Sequence, residues 1–243
     1  MTKIYDAGNH ILACTGYADP ANHRHMAAHI IISIGEMAVE SGSEKLTCRG
    51  VLIPSGTPHT VITGGENALV FLYDCTTDIA RQIKSLCPLP EENCDSILSA
   101  FYLFEKDISA VSYRQFSHCV LTHCGLSQMP AVKTDERITA ATEYIRRNIS
   151  HCITCREAAG SVHLSESRFS HLFRQHTGMT FAAYLIYQRI MYAYSLIIQG
   201  KSITDAALEA GFSSSAHFSD VNRRIFGIPA SAITRDLLFT KIN

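Results

Sequence analysis

Cysteine and histidine stand side by side at three places in the sequence, and their side chains could bind a soft metal or react with an oxidant. The groups are His118-Cys119, His123-Cys124, and His151-Cys152 followed by Cys155. A Cys-x-x-Cys pair with further thiols offers the ligand types of a zinc site, and thiols are also open to oxidation. Against this, the first two cysteines are spaced as Cys-x4-Cys, and free cysteine is commonly a small buried hydrophobe. We therefore favour a structural role for these cysteines and keep metal or redox sensing as the alternative.

A second pattern, near the end of the chain, occurs twice. One copy runs from Cys155 to Gly178 and the other from Ile203 to Gly227. Each copy has a short apolar helix, a turn, and a second helix that ends in a basic and aromatic cluster. This order is typical of a helix-turn-helix unit, whose second helix can enter the major groove of DNA. The repeat predicts a protein that binds double-stranded DNA.

Caps and periodicity indicate the helices that would position these residues. Thr134 or Asp135 can cap a helix before the first copy, and Ser165 can cap the first reading helix, which Gly178 ends. The inward side chains of that helix are predicted to be Phe169, Leu172 and Phe173. A long apolar segment over residues 181–198 is predicted to join the two units.

The first part of the chain has a different periodicity. Between residues 11 and 74, β-branched and aromatic runs alternate with turn sequences, which predicts a small antiparallel barrel or sandwich. Residues 77–124 have helical spacing, with breaks at Pro88 and Pro90. We therefore predict an α+β protein with four segments: a small antiparallel β-barrel over 1–76, a helical dimerisation or coupling segment over 77–124, a linker over 125–133, and an all-α domain over 134–243.

Charge and composition fit this division. Residues 1–132 carry a net charge of −5 and residues 133–243 one of +4, so the half with the repeat is the one suited to phosphate. There is no uninterrupted run of eighteen apolar residues and no basic start followed by an apolar core. Nine cysteines at irregular spacings do not suggest a secreted disulfide framework. We expect a cytoplasmic protein without a membrane partner.

The repeat also resembles a known family. Arg189 in the joining segment, the Ala-Gly-Phe-Ser turn over 210–213 and the Phe-Gly-Ile-Pro sequence over 226–229 resemble the DNA-binding domain of AraC/XylS bacterial transcription regulators, over residues 135–235. The resemblance implies a homodimeric regulator, more often an activator, that works with RNA polymerase and is not an enzyme. It implies base reading by Ser167, Arg168, Ser170, His171, Ala216, His217 and Asp220, and phosphate contacts by Arg174, Arg223 and Arg224.

Two positions in the second copy depart from the family pattern. Asn222 stands where the family has an inward phenylalanine, and Asp220 stands where a basic or polar reader is common. A buried amide without a hydrogen bond costs roughly 1–3 kcal/mol, and a carboxylate near phosphate is repelled. We therefore expect the first unit to specify sequence and the second mainly to anchor. The alternative is a regulator that binds another protein and has only weak affinity for DNA.

A further resemblance concerns the N-terminal half. His23-Arg24-His25 and the Pro-Ser-Gly-Thr-Pro-His sequence over 54–59 resemble the two halves of a cupin motif. The resemblance implies that His23, His25 and His59 converge inside the barrel, where they could hold a divalent transition metal, with Glu36 as a candidate fourth ligand. The alternatives are a polar pocket for a small-molecule effector and a metal-dependent cupin enzyme fused to the helix-turn-helix domain.

Overall fold

The structure is a computed structural model that describes residues 2–7, 10–16, 21–126, 135–226, 230 and 237–242. Its internal contacts divide the chain into two units. The first comprises Met1–Val132 and Phe226–Asn243, and the second comprises Lys133–Ile225.

A single sheet organises the first unit. Its strands are β1 (Thr2–Asp6), β2 (His10–Gly16), β3 (Ala28–Ser41), β4 (Glu44–Ile53), β5 (Thr60–Ile62), β6 (Asn67–Tyr73), β7 (Cys87–Pro88) and β8 (Leu237–Lys241). Their order is β7-β4-β3-β6-β2-β1-β8, and β5 pairs with β3 outside this path. The described pairs are antiparallel, except that β8 runs parallel to β1.

Both faces of this sheet are buried, because alternate side chains of β3 enter different cores. Ile30 and Ile32 belong to one apolar cluster, and Ile31 belongs to the other. The first cluster also contains Phe104 and Phe116 from two helices, α2 (Glu91–Lys106) and α3 (Ala110–His123). A shorter helix, α1 (Asp78–Gln82), precedes them.

Two helix starts in this unit follow from local sequence. Thr77 caps α1 by accepting a hydrogen bond from the Ala80 N–H. Ser109 and Ser112 form a reciprocal capping box at the start of α3. Caps of this kind satisfy N–H groups that the first turn of a helix leaves without partners.

The predicted fold class, a β-sheet domain followed by a helical domain, is confirmed. Two details differ. The described strands form an open path rather than a closed barrel, and at one end of the path the two-residue β7 includes Pro88, which has no N–H to extend the ladder. The domain predicted over 134–243 also extends too far, because β8 pairs with β1 and belongs to the first unit. The predicted linker over 125–133 lies largely outside the described residues.

Helices make up the described part of the second unit. They are α4 (Glu136–Arg147), α5 (Cys155–Gly160), α6 (Glu166–Thr177), α7 (Phe181–Ile198), α8 (Ile203–Glu209) and α9 (Ser215–Phe226), whose last residue is counted with the first unit. Side chains of Asp135, Thr154, Ser165, Thr180 and Ser202 cap the first five of these helices. The helix pairs α5–α6 and α8–α9 occupy the two copies of the sequence repeat.

Helix α7 joins the two pairs. By length and composition alone it could cross a membrane, with a mean hydropathy of 1.2. The core helix of a soluble protein passes the same test, and Tyr184, Ile190 and Ala193 of α7 are completely buried in the structure. Arg189 also interrupts its apolar character near the middle. We therefore assign α7 to the core of the helical unit.

Candidate nucleic-acid interface and histidine cluster

The first reading helix, α6, separates an apolar face from a polar one. Phe169, Leu172 and Phe173 are buried, as the sequence predicted. The opposite face carries the predicted base readers and one predicted phosphate contact, and all of these side chains are exposed: Ser167, Arg168, Ser170, His171 and Arg174. Four of them follow i, i+3, i+4, i+7 spacing from Ser167, so they form one stripe along the helix.

The second reading helix, α9, has the same division. Phe218 and Val221 are buried on the inner face. The predicted readers and phosphate contacts of this helix are exposed: Ala216, His217, Asp220, Arg223 and Arg224. Both helices therefore present to solvent the side chains that the sequence assigned to DNA.

His217 is the most constrained of the exposed side chains on α9. Its Nδ1 lies 3.0 Å from the Ser213 hydroxyl and 3.4 Å from the Ser213 backbone nitrogen, which donates to it. The Phe212 ring lies edge-on to the imidazole, with the ring centroids 5.5 Å apart. Because Nδ1 accepts a backbone N–H, the neutral ring carries its proton on Nε2 and offers a donor there.

The turn before α9 is tight against α7. Gly211 has φ +84°, and a Cβ at this position would lie 3.2 Å from the Arg189 Cζ. Residues with a side chain rarely adopt this backbone conformation, and the guanidinium leaves little room for one. Arg189 and Gly211 thus fix how the second turn rests on the joining helix.

Asn222 has a partner that the sequence did not reveal. The residue is completely buried, and its Oδ1 accepts a 2.6 Å hydrogen bond from the Tyr194 hydroxyl of α7. Burial raises the pKa of Tyr194, so this hydroxyl stays protonated and able to donate. The expected cost of an unpaired amide therefore does not arise, and Asn222 gives no reason for weak DNA affinity.

The cysteine and histidine groups do not assemble into a metal site. Among the described residues, none of these cysteines belongs to a group of three metal-binding side chains, and all nine cysteines are free thiols. His123 Nδ1 lies 2.9 Å from the Cys119 carbonyl oxygen, within one helix. Burial raises the pKa of Cys119, and it raises that of Cys124 to about 12. Both thiols are therefore protonated near neutral pH, which supports a structural role for these two cysteines.

Histidines 23, 25 and 59 do come together in the first unit. His23 and His59 form an antiparallel bridge, in which each backbone N–H donates to the carbonyl of the other residue at 3.1 and 2.9 Å. The turn before His59 depends on Gly56, which has φ +75° and donates its N–H to the His25 carbonyl. One ligand atom from each of the three imidazoles lies within 4.8 Å of the other two.

A fourth imidazole, His29, joins this group and was missed from the sequence. It lies on β3, with its ring centroid 4.4 Å from that of His25 and 4.9 Å from that of His59. The four rings, which we call the histidine cluster (His23, His25, His29 and His59), are at most 6 % exposed. The sequence did contain a signal for His29. It follows His25 by four residues, and it lies two residues before the buried Ile31, so both side chains are on the same face of β3.

The structure does not bring Glu36, the predicted fourth ligand, together with the histidines. Its side chain is exposed, and it does not belong to the group of metal-binding atoms. The pairing of β3 with β4 shifts register between Ile32 and Met37. Side chains therefore do not alternate regularly between the two faces of the sheet from His29 to Glu36.

Burial keeps the cluster uncharged. It lowers the pKa of His23, lowers that of His59 to about 4, and holds the values of His25 and His29 well below the usual range. At neutral pH the cluster therefore consists of four neutral imidazoles, each with one nitrogen lone pair.

Comparison with known proteins supports the assignment of a helix-turn-helix domain to the helical unit. A family model described as a helix-turn-helix domain matches residues 158–236. The virulence regulon transcriptional activator VirF of Yersinia enterocolitica is 44% identical over 64 residues, which cover 26% of this chain and 24% of that protein. The lactose operon transcription activator of Staphylococcus xylosus is 27% identical over 167 residues, which cover 67% of this chain and 57% of that protein. The chain thus spans only part of the length of these relatives.

The whole fold has a solved counterpart. ToxT from Vibrio cholerae superimposes with a TM-score of 0.68 at 11% identity, and the match covers 95% of this chain and 98% of that one. ToxT has also been solved with an unsaturated fatty acid bound. At this identity the likeness concerns the fold, a β-sheet domain joined to a helical domain with two helix-turn-helix units.

Proposed function

We infer that this chain, which belongs to the AraC family of transcription regulators, binds an operator through both of its helix-turn-helix units and thereby regulates transcription. The observation that carries the proposal is the pair of exposed polar stripes on α6 and α9, each above a buried core. Two reading helices of one unit can enter successive major grooves, about 34 Å apart on one face of the duplex.

Each stripe offers two kinds of contact, to base edges and to phosphate. Ser167, Ser170 and His171 can donate to base edges or accept from them, and Asp220 can accept from cytosine. The exposed Arg174, Arg223 and Arg224 suit phosphate, which fixes register without reading sequence. Arg168 is exposed as well and suits either role.

His217 adds a hydrogen-bond donor to the second stripe. Because Ser213 engages its Nδ1, the exposed imidazole offers an Nε2–H donor. A donor at this position selects an acceptor in the major groove, such as purine N7, guanine O6 or thymine O4. The neighbouring Ala216 can only make an apolar contact, for which the thymine methyl is the natural partner. Together with the paired Asn222, this supports some sequence reading by the second unit, beyond anchoring.

Binding can be tested on duplexes selected by the purified protein from a random-sequence pool, with affinity measured against salt. His171→Ala should change the preference at one base position by about 5- to 150-fold, because a base contact is worth about 1–3 kcal/mol. Arg223→Gln should weaken binding to all sequences and reduce the salt slope by about one charge.

Lys45→Gln supplies the matched control, since it removes an exposed cation from the first unit and should leave the affinity for DNA unchanged. An equal loss on every sequence after His171→Ala would contradict base reading by His171. Binding of the wild-type protein that is independent of salt would contradict the proposal as a whole, and would favour a regulator that acts through another protein.

Control by an effector is the second part of the proposal. The N-terminal unit is the candidate sensor, and the fatty acid bound to ToxT supports the idea that this fold can hold a small molecule. Binding there would act on transcription by favouring one of two arrangements of the chain. The names of the relatives support activation, and we propose a cytoplasmic homodimer that works with RNA polymerase. The proposal assigns no catalytic role to the chain.

A further inference from the structure

The histidine cluster is unusual because some of its buried ring nitrogens have no hydrogen-bond partner. Both ring nitrogens of His29 and the Nε2 of His59 are buried and have no hydrogen-bond partner. Buried polar atoms of this kind are rare in folded proteins, and ion binding is one of the standard explanations for them. An apolar side chain would fill the same space without the cost of burying these atoms.

The tautomers of two rings match those of metal-bound histidine. His23 Nδ1 donates to the Ala21 carbonyl at 2.9 Å, and His59 Nδ1 donates to the Thr57 carbonyl at 2.7 Å. Each Nε2 therefore carries a lone pair. Metal-binding histidines almost always donate their other N–H to a carbonyl, a carboxylate or water in this way.

We propose that the histidine cluster binds one divalent first-row transition ion, held by His23, His25 and His59, with His29 as the fourth imidazole. The metal site is argued from the geometry alone, and only the role of the ion as the effector rests on the proposed function. Neutral imidazole suits zinc, copper, iron and nickel, whereas magnesium and calcium require oxygen ligands. Zinc–nitrogen bonds are about 2.0–2.1 Å long, so two nitrogens on one ion lie at most about 4.2 Å apart, close to the 4.8 Å within which the ligand atoms of His23, His25 and His59 lie. The ring centroid of His29 lies 4.4 Å from that of His25 and 4.9 Å from that of His59.

His25 has a different tautomer from His23 and His59. Its Nδ1 accepts a hydrogen bond from the Ala27 N–H at 3.2 Å, which leaves the proton on Nε2. Ligation through Nε2 would move that proton to Nδ1 and break this hydrogen bond. His29 has no such bond to lose, so its nitrogens are available without rearrangement.

An ion held in this way would cross-link three parts of the first unit. His23 and His25 lie between β2 and β3, His29 lies on β3, and His59 directly precedes β5. Because the ion binds only when these parts are together, it should stabilise the folded unit. Loading would then change the stability of the sheet that carries the sensor, which is how it could act as an effector.

The test is a titration of the full-length, chelator-treated protein with cobalt chloride, followed by visible absorption. We expect one equivalent of cobalt, d–d bands of a nitrogen-rich site, no thiolate-to-cobalt charge transfer in the near ultraviolet, and an increase in the melting temperature. His59→Gln should weaken cobalt binding by about 100-fold or more, since it removes a ligand rather than a neighbour of one. His29→Gln should weaken binding and shift the d–d bands.

His10→Gln is the matched control, because His10 is also a buried histidine but lies outside the cluster. It should keep the wild-type cobalt spectrum, and circular dichroism should show that each variant is folded. An absence of cobalt binding, an unchanged affinity in His59→Gln, or charge transfer from thiolate would overturn the site, and an unchanged spectrum in His29→Gln would overturn the fourth ligand. Affinity for selected DNA in the presence of chelator is measured separately, so a missing metal site and a missing DNA function give different results.

Discussion

At the scale of single residues, the second helix-turn-helix unit depends on a polar pair inside an apolar core. The Tyr194 hydroxyl donates to Asn222 Oδ1, and both side chains are buried. Two groups that satisfy each other cost little to bury, but one left alone bears the full cost of desolvation. The pair therefore joins α9 to α7 by a buried hydrogen bond.

This pair gives a prediction about stability. Tyr194→Phe removes the donor and keeps the ring, so it should lower the free energy of unfolding by about 1–3 kcal/mol, as measured by urea denaturation. Tyr192→Phe is the control, because the Tyr192 hydroxyl makes only an exposed 3.3 Å bond to Glu209 and its loss should cost less than about 0.5 kcal/mol. Equal effects of the two substitutions would mean that the buried bond contributes nothing specific.

The sequence could predict some of these residues and not others, for a physical reason. Asn222 was recognised as inward because it stands where the resembling family has an inward phenylalanine, but its hydrogen-bond partner is 28 residues away on another helix. His29 was missed because it stands within an apolar strand sequence, where a histidine is commonly a core residue. Glu36 was named from the cupin resemblance, which carries no information on the register shift between Ile32 and Met37, where Glu36 lies.

At the scale of elements, the turn before α9 is constrained both by its backbone conformation and by a side chain of α7. Its backbone at Gly211 is left-handed, and the Arg189 guanidinium fills the place where a side chain would project. Gly211→Ala should therefore lower the free energy of unfolding of the helical unit by about 1–2 kcal/mol, from the backbone conformation alone. Thermal or urea unfolding of the variant measures this.

Gly160→Ala provides the comparison, because Gly160 is helical and a Cβ there would meet nothing within 4 Å. Alanine is the better helix former, so this change should be neutral or stabilise by up to about 1 kcal/mol. If Gly211→Ala were as well tolerated as Gly160→Ala, the turn would not depend on the glycine.

The helices were predicted well because their signals are close together in sequence. Ser165 lies directly before α6 and Gly178 directly after it, and the inward residues repeat at helical spacing between them. Pairing in the sheet carries no comparable signal. Strand β8 is more than 200 residues from β1, and nothing in its own sequence names its partner.

At the scale of the whole molecule, β8 shows that the first unit is not continuous in sequence. The unit takes residues from both ends of the chain, and β8 covers the outer edge of β1 along its whole length. An uncovered edge strand exposes N–H and C=O groups that can pair with another chain. Strand β8 thus completes the sheet of the first unit, although it follows the helix-turn-helix repeat in sequence.

Deletion of residues 237–243 should therefore damage the first unit and spare the second. We expect the melting transition of the sheet unit to fall by several degrees, since about 1 kcal/mol shifts the melting temperature of a unit of this size by roughly 2–4 °C. The exposed β1 edge should also promote association, which light scattering detects. Affinity for selected DNA, per folded molecule, should stay within about twofold of the wild-type value, because the exposed stripes of α6 and α9 are intact.

The control is a variant with alanine at positions 238 and 240, which keeps the backbone of β8 and should keep most of the edge pairing. If the deletion instead abolished DNA binding and left the sheet transition unchanged, β8 would have to support the helical unit rather than the sheet.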